Sequence, residues 1–364
     1  MNTPVLSFCI ASYNKADLTE ALVKLMLTVK SDEFDIVVVD NCSSDDTIER
    51  LKAINSDRLT IVQNETNIGG AANTIKAPYC GNGLFSLYVN DRDLIFPEKI
   101  PAFIEFLKKH NDLMAGTANR DVDNSFGQYK IMGRKEGLMC YSYRTSHPTG
   151  FFYNKKALSL IPMTTITEGI LSHINFVPLI HEYLFARLCC LGTVAVYNEV
   201  IWRSTGHETH HKYVSGYVNL DNVNIRKKWF HPDDCLRRSK YSIQDALKLA
   251  ENYNIKYSNE DLQLFLKSVL RYETGIGVWR YRTIMTTPSL AYHYAVPTRS
   301  FSIFEALKTS FVFRKSFKNM IAEIGLLRNV NWQNVAMGGV LIDYMQVRRY
   351  VLTPLRIIKY KIVR

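Results

Sequence analysis

No Cys-x-x-Cys pair occurs in the 364 residues, and the seven cysteines, an odd number, are scattered: Cys9, Cys42, Cys80, Cys140, the adjacent Cys189 and Cys190, and Cys235. This fits reduced thiols in a cytosol. No apolar run reaches the roughly 20 residues that span a bilayer. Even the stretch 166–185 is broken by Glu168, His173, His181 and Glu182. Met1-Asn2-Thr3-Pro4 shows no signal-peptide pattern, so secretion is not expected. Neither a P-loop nor a G-x-G-x-x-G follows the first apolar run, which argues against dinucleotide cofactors. Repeats and low-complexity tracts are lacking too. Acids are the scarcer charge, 34 Asp plus Glu against 45 Lys plus Arg, for a net +11 and a pI near 9.2. The expected partner or surface is therefore anionic. With 47% hydrophobic residues the composition is globular, and the length suits one large domain plus a smaller one.

The first hundred residues repeat one unit, a short apolar run followed by residues at helical spacing. Val5 to Ala11 ends in Ser12-Tyr13-Asn14, and Leu18, Leu22, Leu25 and Met26 then recur at helical intervals. Asp35 to Val39 ends in Asp40-Asn41, with helix-capping chemistry from Ser44 to Thr47. Leu59 to Gln63 leads into Asn67-Ile68-Gly69-Gly70 and a helix through Asn73, and Leu84 to Val89 runs into Asp91. Alternating strands and helices predict an α/β, doubly wound, mostly parallel sheet. Further on, strand-like pieces are expected at Gln128–Met132, Gly137–Tyr143, Val194–Tyr197 and Val200–Trp202, with a helix over Ile180–Leu191. Beyond Tyr213 the chain reads as mainly helical, with candidates at 245–252, 259–281, 303–313 and 340–361 and an interruption expected at Pro354. The predicted organisation is a catalytic domain over 1–213 and a helical, basic region over 214–364.

Ligands of an open α/β sheet sit outside the carboxyl ends of its strands. Asp91-Arg92-Asp93 falls at such an end and reads either as a solvated turn or as oxygen ligands for a hard divalent cation on a diphosphate. Tyr13, Asn14, Asp40 and Asn41 fall at two more strand ends, where ordinary turn chemistry competes with contacts to a base or ribose. Asn67 to Asn73, with Gly69 and Gly70, reads as a phosphate or base cradle at a helix N-terminus.

Four segments in order, Ser7 to Lys15, Val37 to Ser43, Asn64 to Gly70, and Asn90 to Asp93, resemble the first half of glycosyltransferase family 2, of the bacterial surface-polysaccharide type. The resemblance is clearest over roughly the first 100 residues. It implies a GT-A fold that binds a nucleoside-diphosphate sugar, a UDP-sugar first, and transfers the sugar with inversion to a glycan or polyprenyl-diphosphate-linked acceptor in surface polysaccharide synthesis. Ala11, Tyr13, Asn14, Asp40 and Asn41 would then line the base and ribose site. Asn67, Gly69, Gly70 and Asn73 would close over it, and Asp91 and Asp93 would hold Mg²⁺ or Mn²⁺ on the diphosphate. Ala11 stands where the family often has Pro or Thr, and Asn41 where many members have Asp. The catalytic base is expected in the stretch from Ile180 to Arg187, with Glu182 as first candidate and His181 as second. Among His207, His210 and His211, His207 is the candidate further metal ligand.

The charge of the last segment, with Arg348, Arg349, Arg356, Lys359, Lys361 and Arg364 among apolar residues and no acid after Asp343, fits either an anionic membrane surface or a helix with its basic face in water. Nucleic acid is not expected, because no recognised binding motif accompanies the charge. A homo-oligomer stays open, and the expected location is the cytoplasm, peripheral on the inner face of the cell membrane. Two other classes compete: a non-catalytic sugar-nucleotide-binding scaffold of the same fold, and a nucleotidyltransferase, which Ser12-Tyr13-Asn14-Lys15 does not suit for want of a Gly-rich basic loop.

Overall fold

The computed structural model describes residues 3–118, 126–143, 147–171, 180–204, 231–287 and 299–362. By contacts the chain divides into two compact units, Met1–Leu138 with Thr145–Asp221, and Met139–Arg144 with Asn222–Arg364.

The first unit opens with β1 (Leu6–Ser12), α1 (Ala16–Leu27), β2 (Phe34–Asp40), α2 (Thr47–Ala53), β3 (Leu59–Gln63), α3 (Gly70–Tyr79) and β4 (Phe85–Asn90). Next come β5 (Asp93–Ile95), α4 (Ile100–Lys109), β6 (Ala115–Ala118), β7 (Tyr129–Met132), α5 (Arg134–Glu136) and β8 (Phe151–Asn154). The unit closes with α6 (Lys155–Ser159), α7 (Met163–Leu171), α8 (Ile180–Cys189), β9 (Val194–Tyr197) and β10 (Trp202–Ser204). Eight strands form one sheet in the order β3-β2-β1-β4-β8-β6-β9-β7, and β5 pairs with β10 in a separate ribbon. The pairs β3–β2, β2–β1, β1–β4 and β6–β9 are parallel, while β8 and β7 run against their neighbours. The expected α/β, mostly parallel architecture is the one observed.

The alternation of side chains explains why both faces are covered. Phe8, Ile10, Ile36, Val38, Leu87 and Val89 share one core with Leu22, Met26, Phe103 and Phe152. Their neighbours Cys9, Val37, Val39 and Tyr88 point to the other face and pack with Ala77 of α3. All seven cysteines are free thiols.

The helical unit contains α9 (Pro232–Asn252), α10 (Asn259–Thr274), α11 (Tyr281–Thr286), α12 (Ile303–Glu323) and α13 (Trp332–Ile362). Capping boxes at Ser258/Asp261 and Ser302/Glu305 start α10 and α12. A buried Arg238–Glu273 ion pair, 2.6 Å, joins α9 to α10.

Four expectations are corrected. Residues 137–141 form a π-helical turn rather than a strand, where Gly137 leaves room for the Val194 side chain, 2.7 Å from where a Cβ would stand. The helix expected from 245 starts at Pro232, a proline at the first turn followed by Asp233 and Asp234. The helix expected over 259–281 is broken by a π-turn, Gly275–Arg280. The last helix begins at Trp332 and runs through position 354 to Ile362; a proline removes one backbone donor, which a long helix can carry at the cost of a kink.

Candidate active site at the carboxyl end of the sheet

The strand order reverses between β1 and β4, so a crevice opens at the carboxyl ends of these two strands. Register places Ser12 of β1 beside Asp40 of β2, and Ala11 beside both Val39 and Asn90. The loops that follow therefore emerge side by side.

The loops after β1 and β2 are tied together by side chains. Asp40 accepts hydrogen bonds from the Ser43 backbone N–H, 2.9 Å, and from the Ser43 hydroxyl. The Asn14 N–H donates to Ser43 Oγ at 2.8 Å, and Asn14 Oδ1 accepts from the Ser44 N–H at 2.8 Å. Asn14 does this in the left-handed region, φ +50°, which asparagine tolerates better than most residues.

Behind them lies a cluster of amides. Asn41 Oδ1 accepts from Asn64 Nδ2 and the Ile68 N–H, both at 3.0 Å, so both its lone pairs are engaged, and Asn41 Nδ2 donates to Asn67 Oδ1 at 2.7 Å. Asn64 Nδ2 also reaches Asn73 Oδ1 at 2.9 Å, and Asn73 Nδ2 donates to the Val39 carbonyl at 2.9 Å. Asp40, Asn41, Asn64 and Asn73 are buried. These groups hold the loops in place, while Gly69 (φ +87°) and Gly70 border open space. Ala11 and Tyr13 are half-buried.

Across the crevice, Lys15 Nζ lies 2.9 Å from Asp91 Oδ1, with side chains only 8% and 7% exposed. Asp93 lies in β5, opposite Ser204 of β10. Its Oδ2 accepts from Thr149 Oγ1 at 2.5 Å and Asn90 Nδ2 at 3.3 Å and lies 3.4 Å from His147 Nε2, whereas the buried Oδ1 has no partner. Burial pushes the Asp93 carboxyl up to about 6, against the Thr149 bond and the Arg92 charge, which pull it down. The turn carrying His147 and Thr149 is set by Gly150, φ +99°, whose Cβ would stand 2.5 Å from Trp202 Nε1. Trp202 stacks on His147, centroids 4.8 Å apart.

Helix α8 meets the same end of β4. His181 lies against Tyr88, centroids 4.3 Å apart, and stacks on Phe151. Its Nδ1 is 2.7 Å from the Tyr153 hydroxyl, and its Nε2 is buried without a hydrogen-bond partner. Burial, helped by the His147 charge, lowers the imidazole to about 3, so the ring is neutral near pH 7. Tyr88 continues the connection, its hydroxyl donating to Asn90 Oδ1 at 3.0 Å. Glu182 is buried in the first turn of α8, and its charge, after burial itself, raises the Tyr153 phenol well above its usual range. Arg187 donates to the Tyr183 carbonyl at 2.9 Å and lies over the Tyr183 ring, a packing role within α8. His207 lies outside the described residues.

Sequence reasoning missed Lys15, Thr149 and His147 as site residues. Lys15 closes the first motif, and His147-Pro148-Thr149-Gly150 stands as a polar turn before an apolar run, but neither signal names Asp91 or Asp93 as its partner.

Residues 7–165 match a family model described as Glycosyl transferase family 2. An uncharacterized glycosyltransferase of Haemophilus influenzae is 26% identical over 109 residues, 30% of this chain and 36% of that protein. The putative colanic acid biosynthesis glycosyl transferase WcaA of Escherichia coli is 24% identical over 105 residues, 28% of this chain and 38% of that protein. The matches thus span little more than a third of these curated relatives. Among solved structures, mannosyltransferase PcManGT from Pyrobaculum calidifontis, in complex with GDP-Man and Mn²⁺, aligns over 93% of this chain and 88% of its own at 12% identity, TM-score 0.48. Crystalline S. aureus TarS 1-349 in complex with UDP-GlcNAc aligns over 86% and 92% at 17% identity, TM-score 0.43. The matched segment, 7–165, carries all four strand-end motifs, and over it the chain is similar to glycosyl transferase family 2.

Proposed function

We propose that this chain transfers a sugar from a nucleoside-diphosphate sugar, a UDP-sugar first, to a hydroxyl of a glycan or polyprenyl-diphosphate-linked acceptor in surface polysaccharide synthesis, with inversion. The observation that carries this reading is the acidic pair at the switch point, with Asp93 Oδ1 buried and unpartnered within the segment similar to family 2.

The acidic pair fits a hard cation. No group of three or more His, Cys, Asp or Glu side chains is arranged as a metal site among the described residues, and Mg²⁺ or Mn²⁺ on a diphosphate needs only one or two carboxylates, with phosphate oxygens and water completing its shell. Asp91 and Asp93 would hold it, and when bound it neutralises charge developing on the departing diphosphate. Lys15, after β1, contributes a second positive charge to the same place. Ala11, Tyr13, Asn14 and the Gly69-Gly70 edge would receive the nucleoside, with Asp40, Asn41, Asn67 and Asn73 setting the shape of that edge. An acceptor hydroxyl must lose a proton as it attacks the anomeric carbon, with inversion following from attack opposite the leaving group. His181, held near 3, is a poor base at neutral pH, so the proton is assigned to the Glu182 carboxylate.

The test is calorimetric titration with UDP-, GDP- and dTDP-sugars, with and without Mn²⁺, on the full chain and on Asp91→Asn and Asp93→Asn. Metal-dependent binding lost in both variants supports the assignment, and titration curves that neither variant changes overturn it. Tight binding with no transfer to any acceptor would leave a nucleotide-sugar-binding scaffold.

A further inference from the structure

Helices α12 and α13 are apolar on both sides. Inward, α12 buries Phe313, Phe317, Met320 and Ile321. Outward, it shows Phe304, 77% exposed, Phe311, 64%, and Val312, with Lys308 and Lys315 exposed on the same stripe. The outer stripe of α13 is Met337, Val340, Leu341 and Tyr344, the last 61% exposed, spaced i, i+3, i+4, i+7, and exposed Arg348 follows one turn later.

Polar bonds decide which side of α13 faces in. Buried Asp343 accepts from Trp279 Nε1 and Ser310 Oγ, both at 2.8 Å, and from Arg314. Gly338 lets the helix approach α10 so closely that a Cβ would stand 2.2 Å from the Lys267 carbonyl. The helix cannot rotate to hide its outer stripe without breaking this arrangement, so the exposure is built in.

We propose that the outer faces of α12 and α13 dock on an anionic lipid surface. Large apolar side chains interleaved with lysines suit the boundary between acyl chains and acidic headgroups. The charge is complementary: after Asp343 the sequence has no acid and adds Arg348, Arg349, Arg356, Lys359, Lys361 and Arg364. A second copy would set the exposed Lys308, Lys315 and Arg348 against their own counterparts. No helix among the described residues is long and apolar enough to cross a membrane, so the contact is one of lying on the surface. This surface would bring the chain to a lipid-linked acceptor of the kind proposed above, yet its docking is measured without any donor, so failure of either reading leaves the other standing.

The experiment is co-sedimentation of the full chain with vesicles of phosphatidylcholine alone or mixed with phosphatidylglycerol. The wild type is expected to pellet with the mixed vesicles and to be released by salt. Phe304→Ser with Phe311→Ser should lower the partition at least about tenfold, and Lys308→Glu with Lys315→Glu should abolish the preference for the anionic lipid. These positions are exposed, and unchanged thermal melting confirms the fold. Equal pelleting of wild type and variants overturns the proposal, as does binding lost only when residues 349–364 are removed. A concentration-dependent dimer that Phe304→Ser with Phe311→Ser dissolves assigns the face to a second copy and also overturns it.

Discussion

Lys15, after β1, and Asp91, after β4, form a buried ion pair across the switch point, Nζ to Oδ1 2.9 Å. A divalent cation held by Asp91 would draw on the same carboxylate, so the ammonium and the cation would share one counter-charge. Lys15→Met leaves a buried carboxylate unpaired, and the expected loss of stability is about 3 kcal/mol. Mn²⁺ at millimolar concentration should restore part of it in the variant and add less to the wild type. Urea unfolding with and without MnCl₂ checks this; equal Mn²⁺ effects in both proteins would separate Lys15 from the metal site.

Glu182→Gln keeps the size and the hydrogen-bonding capacity of the side chain while removing the base. Turnover is expected to fall by about 10² to 10⁴, with nucleotide-sugar affinity within about twofold of wild type. Single-turnover sugar transfer together with calorimetry reads both quantities. Turnover that survives places the base elsewhere.

His181 couples stability to pH. Its ordinary value of 6.5 is lowered to about 3 by burial. On acidification the unfolded chain takes up a proton below about pH 6.5 and the folded chain does not until about 3, so stability falls as pH falls through this window. The His181 share amounts to up to about 1.5 kcal/mol between pH 6.5 and pH 5. His181→Phe should flatten that dependence in urea titrations at the two pH values, while a variant with the wild-type slope would assign it to other groups.

Gly150→Ala tests the turn that carries Thr149 and His147 to Asp93. An added Cβ meets Trp202 Nε1 at 2.5 Å and the Ala118 carbonyl at 2.6 Å, at φ +99°. The expected cost is about 3 kcal/mol. Mn²⁺-dependent nucleotide binding should weaken as well, because Thr149 no longer holds Asp93 Oδ2 in place. Differential scanning calorimetry and nucleotide titration read the two effects, and a variant that melts and binds as wild type would show that the turn tolerates a side chain.

How far the site could be read from the chain differs by residue. Asp40, Asn41 and Asp91 follow apolar runs directly, so the alternation of local patterns places them at strand ends. Asp93 looks like part of the same turn but belongs to β5, because its strand partner, Ser204, lies 111 positions later, and no local pattern reports a pairing that distant. His147 and Thr149 reach Asp93 for the same reason, and the π-turn over 137–141 depends on Val194 from another strand.

The amino-acid sequence alone determines the order of the first four strands and the three helices between them, the parallel character of that half and the polar residues at its strand ends, since these follow from periodicities of two and of 3.6 residues within short windows. Tertiary structure alone decides which of those polar groups are engaged. Asn41 is drawn into an amide cluster, Asp91 is paired with Lys15, and Asp93 keeps one oxygen buried without a partner. Burial and long-range pairing set the charge and availability of each group, and both exist only once distant segments have met.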